Sequence, residues 1–269
     1  MPTFVTDDGV TLAYTDTGGP NPAIVLIAGF CAPATTWVFQ QDALVDAGYR
    51  VIAWDRRGHG ESASPEHGAT MDRHGRDLHD LLDALALENV ALIGGSMGAS
   101  TAWSYVETYG TDRLRAVASI DQTPKMVSDA DWPYGFHGLT EATVDGFFDG
   151  GIPDTGRGRP TRKSVMPMAK LALRLRGMPR MASPATAPMR ALLDDHARRD
   201  WRTAVAGADV PVLMLAARDS QFWPAEHAAA AVADNPLGRS VVIEDCGHAA
   251  NLDRPDAVNA ALLDFMGRP

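Results

Sequence analysis

Asn89-Val90-Ala91-Leu92-Ile93-Gly94-Gly95-Ser96-Met97-Gly98-Ala99-Ser100 is an apolar run of strand character that passes through Gly-x-Ser-x-Gly straight into a stretch of helical character. A chain that reverses so sharply has no room for side chains at Gly94 and Gly98, and it holds Ser96 in a strained turn above the sheet. The Ser96 hydroxyl then sits at a helix N-terminus. Free backbone N–H groups and the helix dipole favour negative charge there, so an oxyanion formed on a substrate carbonyl is stabilised. A plain Gly/Ser turn is the alternative, but the strand before and the helix after favour a nucleophile.

A second stretch, Val241-Val242-Ile243-Glu244-Asp245-Cys246-Gly247-His248, reads as a late strand and a loop ending on a histidine. Most lone histidines are surface groups or satisfied core groups. His248 stands far downstream of the Ser96 turn, after the last strand, which is where a general base follows a serine nucleophile on a sheet of this kind.

On these two motifs the chain resembles the α/β-hydrolase superfamily over nearly its whole length. Pro22-Ala23-Ile24-Val25-Leu26-Ile27-Ala28-Gly29-Phe30 is similar to the family's strand ending in His-Gly-x, whose loop supplies one oxyanion N–H. Ala28 departs from that pattern by standing in place of the histidine. Because the hole is built from backbone N–H groups, the resemblance still implies Phe30 and Met97 as donors. Arg50 to Ser62 resembles the next strand and its Asp-x-Arg-Gly-x-Gly-x-Ser turn, and its charges are expected to brace a loop near the site rather than to do chemistry.

The third catalytic group is open between two carboxylates. Asp219 follows the penultimate strand, where most of the family carries its acid. Asp121 ends the strand Val117-Ala118-Ser119-Ile120, where a minority carries it. Two details favour Asp121. The usual late acid lies four residues before a proline, and counting back from Pro224 lands on Ser220; and a carboxylate ending a buried strand has no structural excuse.

Short β-branched runs alternate with longer amphipathic runs, which predicts an α/β fold with a mostly parallel central sheet and helices on both faces. Strands are expected at 10–14, 23–27, 50–54, 90–93, 114–120, 212–216 and 240–243, and helices at 37–47, 71–85, 97–109, 225–233 and 256–266. The alternation breaks after the sixth strand of the family's sheet. Residues 122–210 are therefore expected to form a helical lid on a core made of 1–121 and 211–269. Within it, 150–160 is rich in Gly and Pro. Ser164 to Met181 carries Met166, Met168, Leu171, Met178 and Met181 among Lys163, Lys170, Arg174, Arg176 and Arg180. That pattern is an amphipathic helix whose methionine face suits an adaptable pocket roof. Trp37 and Trp223 near the mouth, Cys31 beside the oxyanion loop, and Trp132 and Phe136 in the lid are candidate substrate contacts.

The 269 residues, 45% apolar and 22% charged, are ordinary globular values. A net charge of −10 opposes binding to nucleic acid or an anionic membrane. Two cysteines, Cys31 and Cys246, are too few for a disulfide framework. The N-terminus has no signal-peptide pattern and no apolar run reaches membrane-spanning length, so a cytoplasmic location is expected. His59, His67, His74 and His79 match no metal-ligand spacing, and neither metal nor cofactor is expected. The resemblance implies a serine hydrolase acting on a small or medium ester or lactone. Perhydrolase, C–C hydrolase, cofactor-free dioxygenase and receptor-like binding are the alternatives that the same fold hosts.

Overall fold

The structure, a computed structural model, describes residues 1–159 and 165–267, with 165 and 166 by backbone alone. Pro160, Lys163, Ser164 and the Met166 side chain, which figure in the lid expectations, lie outside the described residues. Eight strands form one sheet in the order β1-β2-β4-β3-β5-β6-β7-β8: β1 Thr3–Val5, β2 Thr11–Asp16, β3 Ala23–Ile27, β4 Arg50–Trp54, β5 Val90–Gly95, β6 Leu114–Ile120, β7 Val212–Ala217 and β8 Gly238–Ile243. The β1–β2 and β2–β4 pairs are antiparallel and the other five pairs are parallel. β1 was not expected from sequence; three residues are too few to show a period.

All five residues of β3 are buried, as a strand covered on both faces requires. Val25 and Ile27 join one apolar cluster, with Leu78, Leu81 and Trp103. Ile24 and Leu26 join the other, with Leu44, Val258 and Leu262. The first cluster includes the packing of α2 (Met71–Ala84) and α3 (Met97–Tyr109) against the sheet; the second includes that of α1 (Val38–Asp46) and the helix Pro255–Met266. Period-two alternation in a wholly apolar strand thus divides the core into two layers.

Between β6 and β7 the chain carries α4 (Val165–Leu175), α5 (Ala187–Ala197) and α6 (Arg202–Gly207). The helix expected to reach Met181 stops at Leu175. Arg176 turns left-handed (φ 56°), its N–H donates to the Leu173 carbonyl, and the Gly177 N–H donates to that of Ala172. This is a Schellman closure, which carries Met178 and Met181 out of the helix. No helix among the described residues is long and apolar enough to cross a membrane.

The parallel strands all point their carboxyl ends the same way, so the loops after β3, β5, β6, β7 and β8 gather at one edge. The β5–α3 turn is the tightest of them. A Cβ at Gly98 would lie 2.1 Å from the Ile27 carbonyl oxygen, and one at Gly94 would lie 2.3 Å from the Ala99 nitrogen. Gly98→Ala is therefore expected to cost about 3 kcal/mol or more in stability. Gly207→Ala, at the exposed end of α6 with no positive φ and open space around it, should be close to neutral. Urea denaturation of both variants measures the contrast, and equal losses would remove the packing argument.

Candidate active site

Ser96 occupies the turn with φ 51° and ψ −134°. Its N–H donates to the Ile120 carbonyl at 2.9 Å and its own carbonyl accepts from Ala99 N–H at 2.8 Å. A trans peptide points its C=O and N–H in opposite directions, so the carbonyl of Ser96, directed into α3, turns the Met97 N–H out of it. The Phe30 N–H is aimed by the same logic. The Gly29 carbonyl, in the same peptide unit, accepts from Arg56 Nη2 at 2.8 Å, and the Ala28 carbonyl accepts from Arg56 Nε at 3.0 Å. Among the described residues neither the Phe30 nor the Met97 N–H has an intramolecular acceptor. The loop also abuts the serine: a Cβ at Gly29 would lie 3.1 Å from Ser96 Cβ.

Arg56 is buried with no carboxylate in direct contact among the described residues. Its Nη1 also meets His74 Nδ1 and its Nη2 meets His59 Nε2, both at 3.1 Å. His59 Nδ1 lies 2.8 Å from the Arg57 carbonyl, which can only accept, so Nδ1 holds the proton and Nε2 accepts from Arg56. Burial pushes the Arg56 guanidinium down to about 9, still charged at neutral pH. Burial, then the Arg56 charge, holds His59 and His74 well below the usual imidazole range. Asp55 buttresses the next turn of the same loop, accepting from the Ala34 N–H at 2.7 Å and the Glu61 N–H at 2.9 Å. The expected bracing is therefore direct, through residues 55 and 56.

His248 Nε2 lies 2.8 Å from Ser96 Oγ, and Nδ1 lies 2.7 Å from Asp121 Oδ2. The Asp121 carboxylate is wholly buried. It also accepts from the Ala217 N–H at 2.8 Å and from the Ser220 hydroxyl at 2.7 Å. His227 Nε2 is 3.9 Å from Oδ1, too long for a hydrogen bond. Burial acts to raise the pKa of this carboxyl, but the His227 and His248 imidazoles more than offset it, leaving it well below the usual carboxylate range. Such a carboxylate, with Nδ1–H as its donor, fixes the tautomer that leaves Nε2 free to accept from Ser96.

Asp219 does not reach His248. Its carboxylate pairs with Arg159 Nε at 3.0 Å on a partly exposed surface, and its N–H donates to the Cys246 carbonyl. Ser220, at the position where most of the resembled family carries its acid, donates to Asp121 instead.

A cavity of about 260 Å³ opens above Ser96 and His248, walled by Phe30, Trp37, Met168, Met181 and Phe222. A smaller chamber of about 30 Å³ shares Ser96, Phe30 and Phe222 with it and adds Met97, Phe136 and Trp223. Of the expected substrate contacts, Trp37 lines the larger cavity and Phe136 and Trp223 line the smaller one. Two others line neither. Cys31 is buried, with its carbonyl accepting from Ala182 N–H, and burial pushes its thiol up to about 11. Trp132 is held in the inserted segment by its indole N–H, shared between Thr123 Oγ1 and the Lys125 carbonyl. Sequence reading missed Phe222, whose ring lies 4.5 Å from that of His248. It also missed Ser220, Gln122 and His196. Their neighbourhood arises only when the insertion folds back, and the step from Pro224 to Ser220 was the one legible signal.

The chain belongs to the α/β-hydrolase fold family, whose model matches residues 22–255. A putative non-heme chloroperoxidase from Synechocystis sp. is 32% identical over 96% of this chain and 95% of its own length. The crystal structure of a bromoperoxidase from Bacillus anthracis superposes with a TM-score of 0.81 at 29% identity, covering 98% of this chain and 99% of that one. A thermophilic esterase from Thermogutta terrifontis, studied with malate bound, has a TM-score of 0.75 at 26% identity, covering 98% and 96%.

The buried histidines make acid stability testable. His59 and His74 are depressed well below their ordinary value and His196 falls to about 3, chiefly through burial. Below pH about 6.5 the unfolded chain binds protons at these positions that the folded chain does not, so stability is full above that pH and falls as pH drops. Asp55 and Asp77, raised by burial, act in the opposite sense in more acid solution. The protein should therefore be less stable at pH 5.5 than at pH 7.5. Denaturant midpoints at the two pH values measure it; equal midpoints would mean that these imidazoles can be charged in the folded protein.

Proposed function

We propose that the protein is a serine hydrolase that cleaves a small or medium ester or lactone through an acyl-enzyme. The observation that carries this reading is the unbroken contact from Asp121 through His248 to Ser96, at 2.7 and 2.8 Å. Ser96 Oγ attacks the substrate carbonyl while His248 Nε2 takes its proton and Asp121 stabilises the imidazolium. The oxyanion accepts from the Phe30 and Met97 N–H groups. Collapse of this intermediate expels the alcohol, protonated by His248. Water, deprotonated by the same imidazole, then attacks the acyl-enzyme and frees the acid. Residues 122–210 act as the lid on a core of 1–121 and 211–269, since Ile152, Met168 and Met181 of that interval wall the cavity. Support from outside the chain comes from the Thermogutta terrifontis protein, named an esterase.

The names of the chloroperoxidase and bromoperoxidase relatives favour one second reading. Hydrogen peroxide in place of water would attack the same acyl-enzyme and release a peracid, which oxidises halide to hypohalous acid and returns to the carboxylic acid. Bromide oxidation that requires peroxide, a carboxylic acid or ester, and Ser96 would establish it.

A panel of p-nitrophenyl esters and γ- and δ-lactones tests the hydrolytic reading, with Ser96→Ala expected to abolish turnover in a folded protein. Asp121→Asn should lower kcat on the order of 10⁴-fold, by analogy with serine proteases, and Asp219→Asn less than about threefold. The reverse ranking would transfer the acid role to Asp219.

Arg56→Met strips the Gly29 carbonyl of its guanidinium donor while leaving the longer 3.2 Å bond from the Ala32 N–H, and should lower kcat by up to about 10²-fold through a misdirected Phe30 N–H. Arg56→Lys should recover part of the loss. Unchanged kcat in a folded Arg56→Met protein would separate Arg56 from the oxyanion donor.

A further inference from the structure

The small chamber at Ser96 is lined mainly by Met126, Phe136, Phe148, Leu193 and Trp223, yet two of its wall residues besides the serine are polar. His196, from α5, is 3% exposed and Gln122 is 1% exposed. His196 Nε2 meets Ser100 Oγ at 2.9 Å, and Gln122 Nε2 donates to the Thr123 carbonyl at 2.9 Å. That leaves His196 Nδ1 and Gln122 Oε1, both buried and without a partner among the described residues. Buried polar atoms are rarely left so, because each carries the full cost of its lost hydration. Gln122 Oε1 can only accept. His196 Nδ1 donates when Ser100 gives its proton to Nε2 and accepts when it does not, so the pair can serve a hydroxyl as acceptor and donor.

The orientation of a substrate follows from which wall holds the base. His248 lines the large cavity and not the small chamber. It must hand its proton to the leaving alcohol, so the alcohol portion lies in the large cavity and the acyl tail enters the chamber. A volume of about 30 Å³ is room for about two water-sized centres. A tail of two non-hydrogen atoms beyond the carbonyl therefore fills it.

We propose that Gln122 and His196 form a specificity site for a short hydroxylated acyl group, of the 2-hydroxyacetyl class, carried as the ester of a larger apolar alcohol. The proposal rests on the hydrolytic reading for the direction of the tail. The hydroxyl donates to Gln122 Oε1 and accepts from His196 Nδ1–H, while Phe136 and Trp223 pack on the methylene. An unsubstituted acyl group of the same size enters but leaves both polar atoms unpaired, and a longer one meets the aromatic wall.

Phenyl glycolate and phenyl propanoate differ only in a terminal hydroxyl for a methyl, and their different intrinsic reactivity cancels when their kcat/KM ratio is compared between variants. Gln122→Met, close in shape, should lower the glycolate-to-propanoate ratio by about five- to tenfold. His196→Phe, checked for folding by circular dichroism, should do the same. Binding of the two esters to Ser96→Ala, followed by NMR titration, reads the site without turnover and should favour the glycolate in a Gln122-dependent way. If neither ester is hydrolysed but this binding preference is present, the hydrolytic reading fails and the site stands. An unchanged ratio in Gln122→Met, or equal binding of both esters to Ser96→Ala, would overturn the proposal and leave the polar pair to ordinary water.

Discussion

The backbone of Ser96 is the constraint on which the rest of the site depends. A non-glycine residue at φ 51° and ψ −134° costs about 1–3 kcal/mol and persists only where its surroundings over-determine it. Here they do. The Ile120 carbonyl takes its N–H, Ala99 takes its carbonyl, and Gly98 presses α3 against the Ile27 carbonyl with no space for a side chain. Those contacts bring the ends of β3, β5 and β6 to one point, and the three loops that leave them carry the Phe30 N–H, the serine and the aspartate.

Around that point the polar groups are held by structure rather than by solvent. Arg56 is buried among carbonyls and neutral imidazoles. Its neighbour Arg57 takes the buried Asp77 carboxylate through two N–H groups, at 2.8 and 2.9 Å. Breaking either arrangement would strand a charge, which is a stronger constraint than the small net gain of the pairs themselves. Asp121 is the anionic counterpart. Its donors come from β7, from the turn after it and from the loop after β8, so one carboxylate joins three segments.

The interval between β6 and β7 converts an open sheet edge into two unequal cavities. Phe136 stacks on Phe222 with centroids 5.2 Å apart and meets Phe148 edge-on at 5.4 Å, closing the smaller one. Phe222 and Trp223 also present their rings to His248, at 4.5 and 5.3 Å. The same aromatic group thereby limits the imidazole and the space beside the serine, so the shape of the pocket and the position of the base are not independent.

Much of this was legible in the chain. Strand runs such as Ala23–Ile27 and Leu114–Ile120, the glycines about Ser96 and the histidine after β8 are written in local patterns, because period, turn geometry and the size of a side chain act over a few residues. The choice between Asp121 and Asp219 was not so written. Both end a strand on the same edge, and only the return of a loop 127 residues later puts Nδ1 at 2.7 Å from one of them. Trp132 and Cys31 looked like pocket residues from their composition and place; a hydrogen bond from the indole in one case and burial in the other took them out of it. Phe222, Gln122 and His196 carried no local sign, since their proximity to Ser96 comes from how the insertion packs. Local sterics and periodicity determined the sheet and its serine from sequence alone, whereas the partner of the histidine and the walls of the pocket were decided by long-range packing, which a single sequence does not encode position by position.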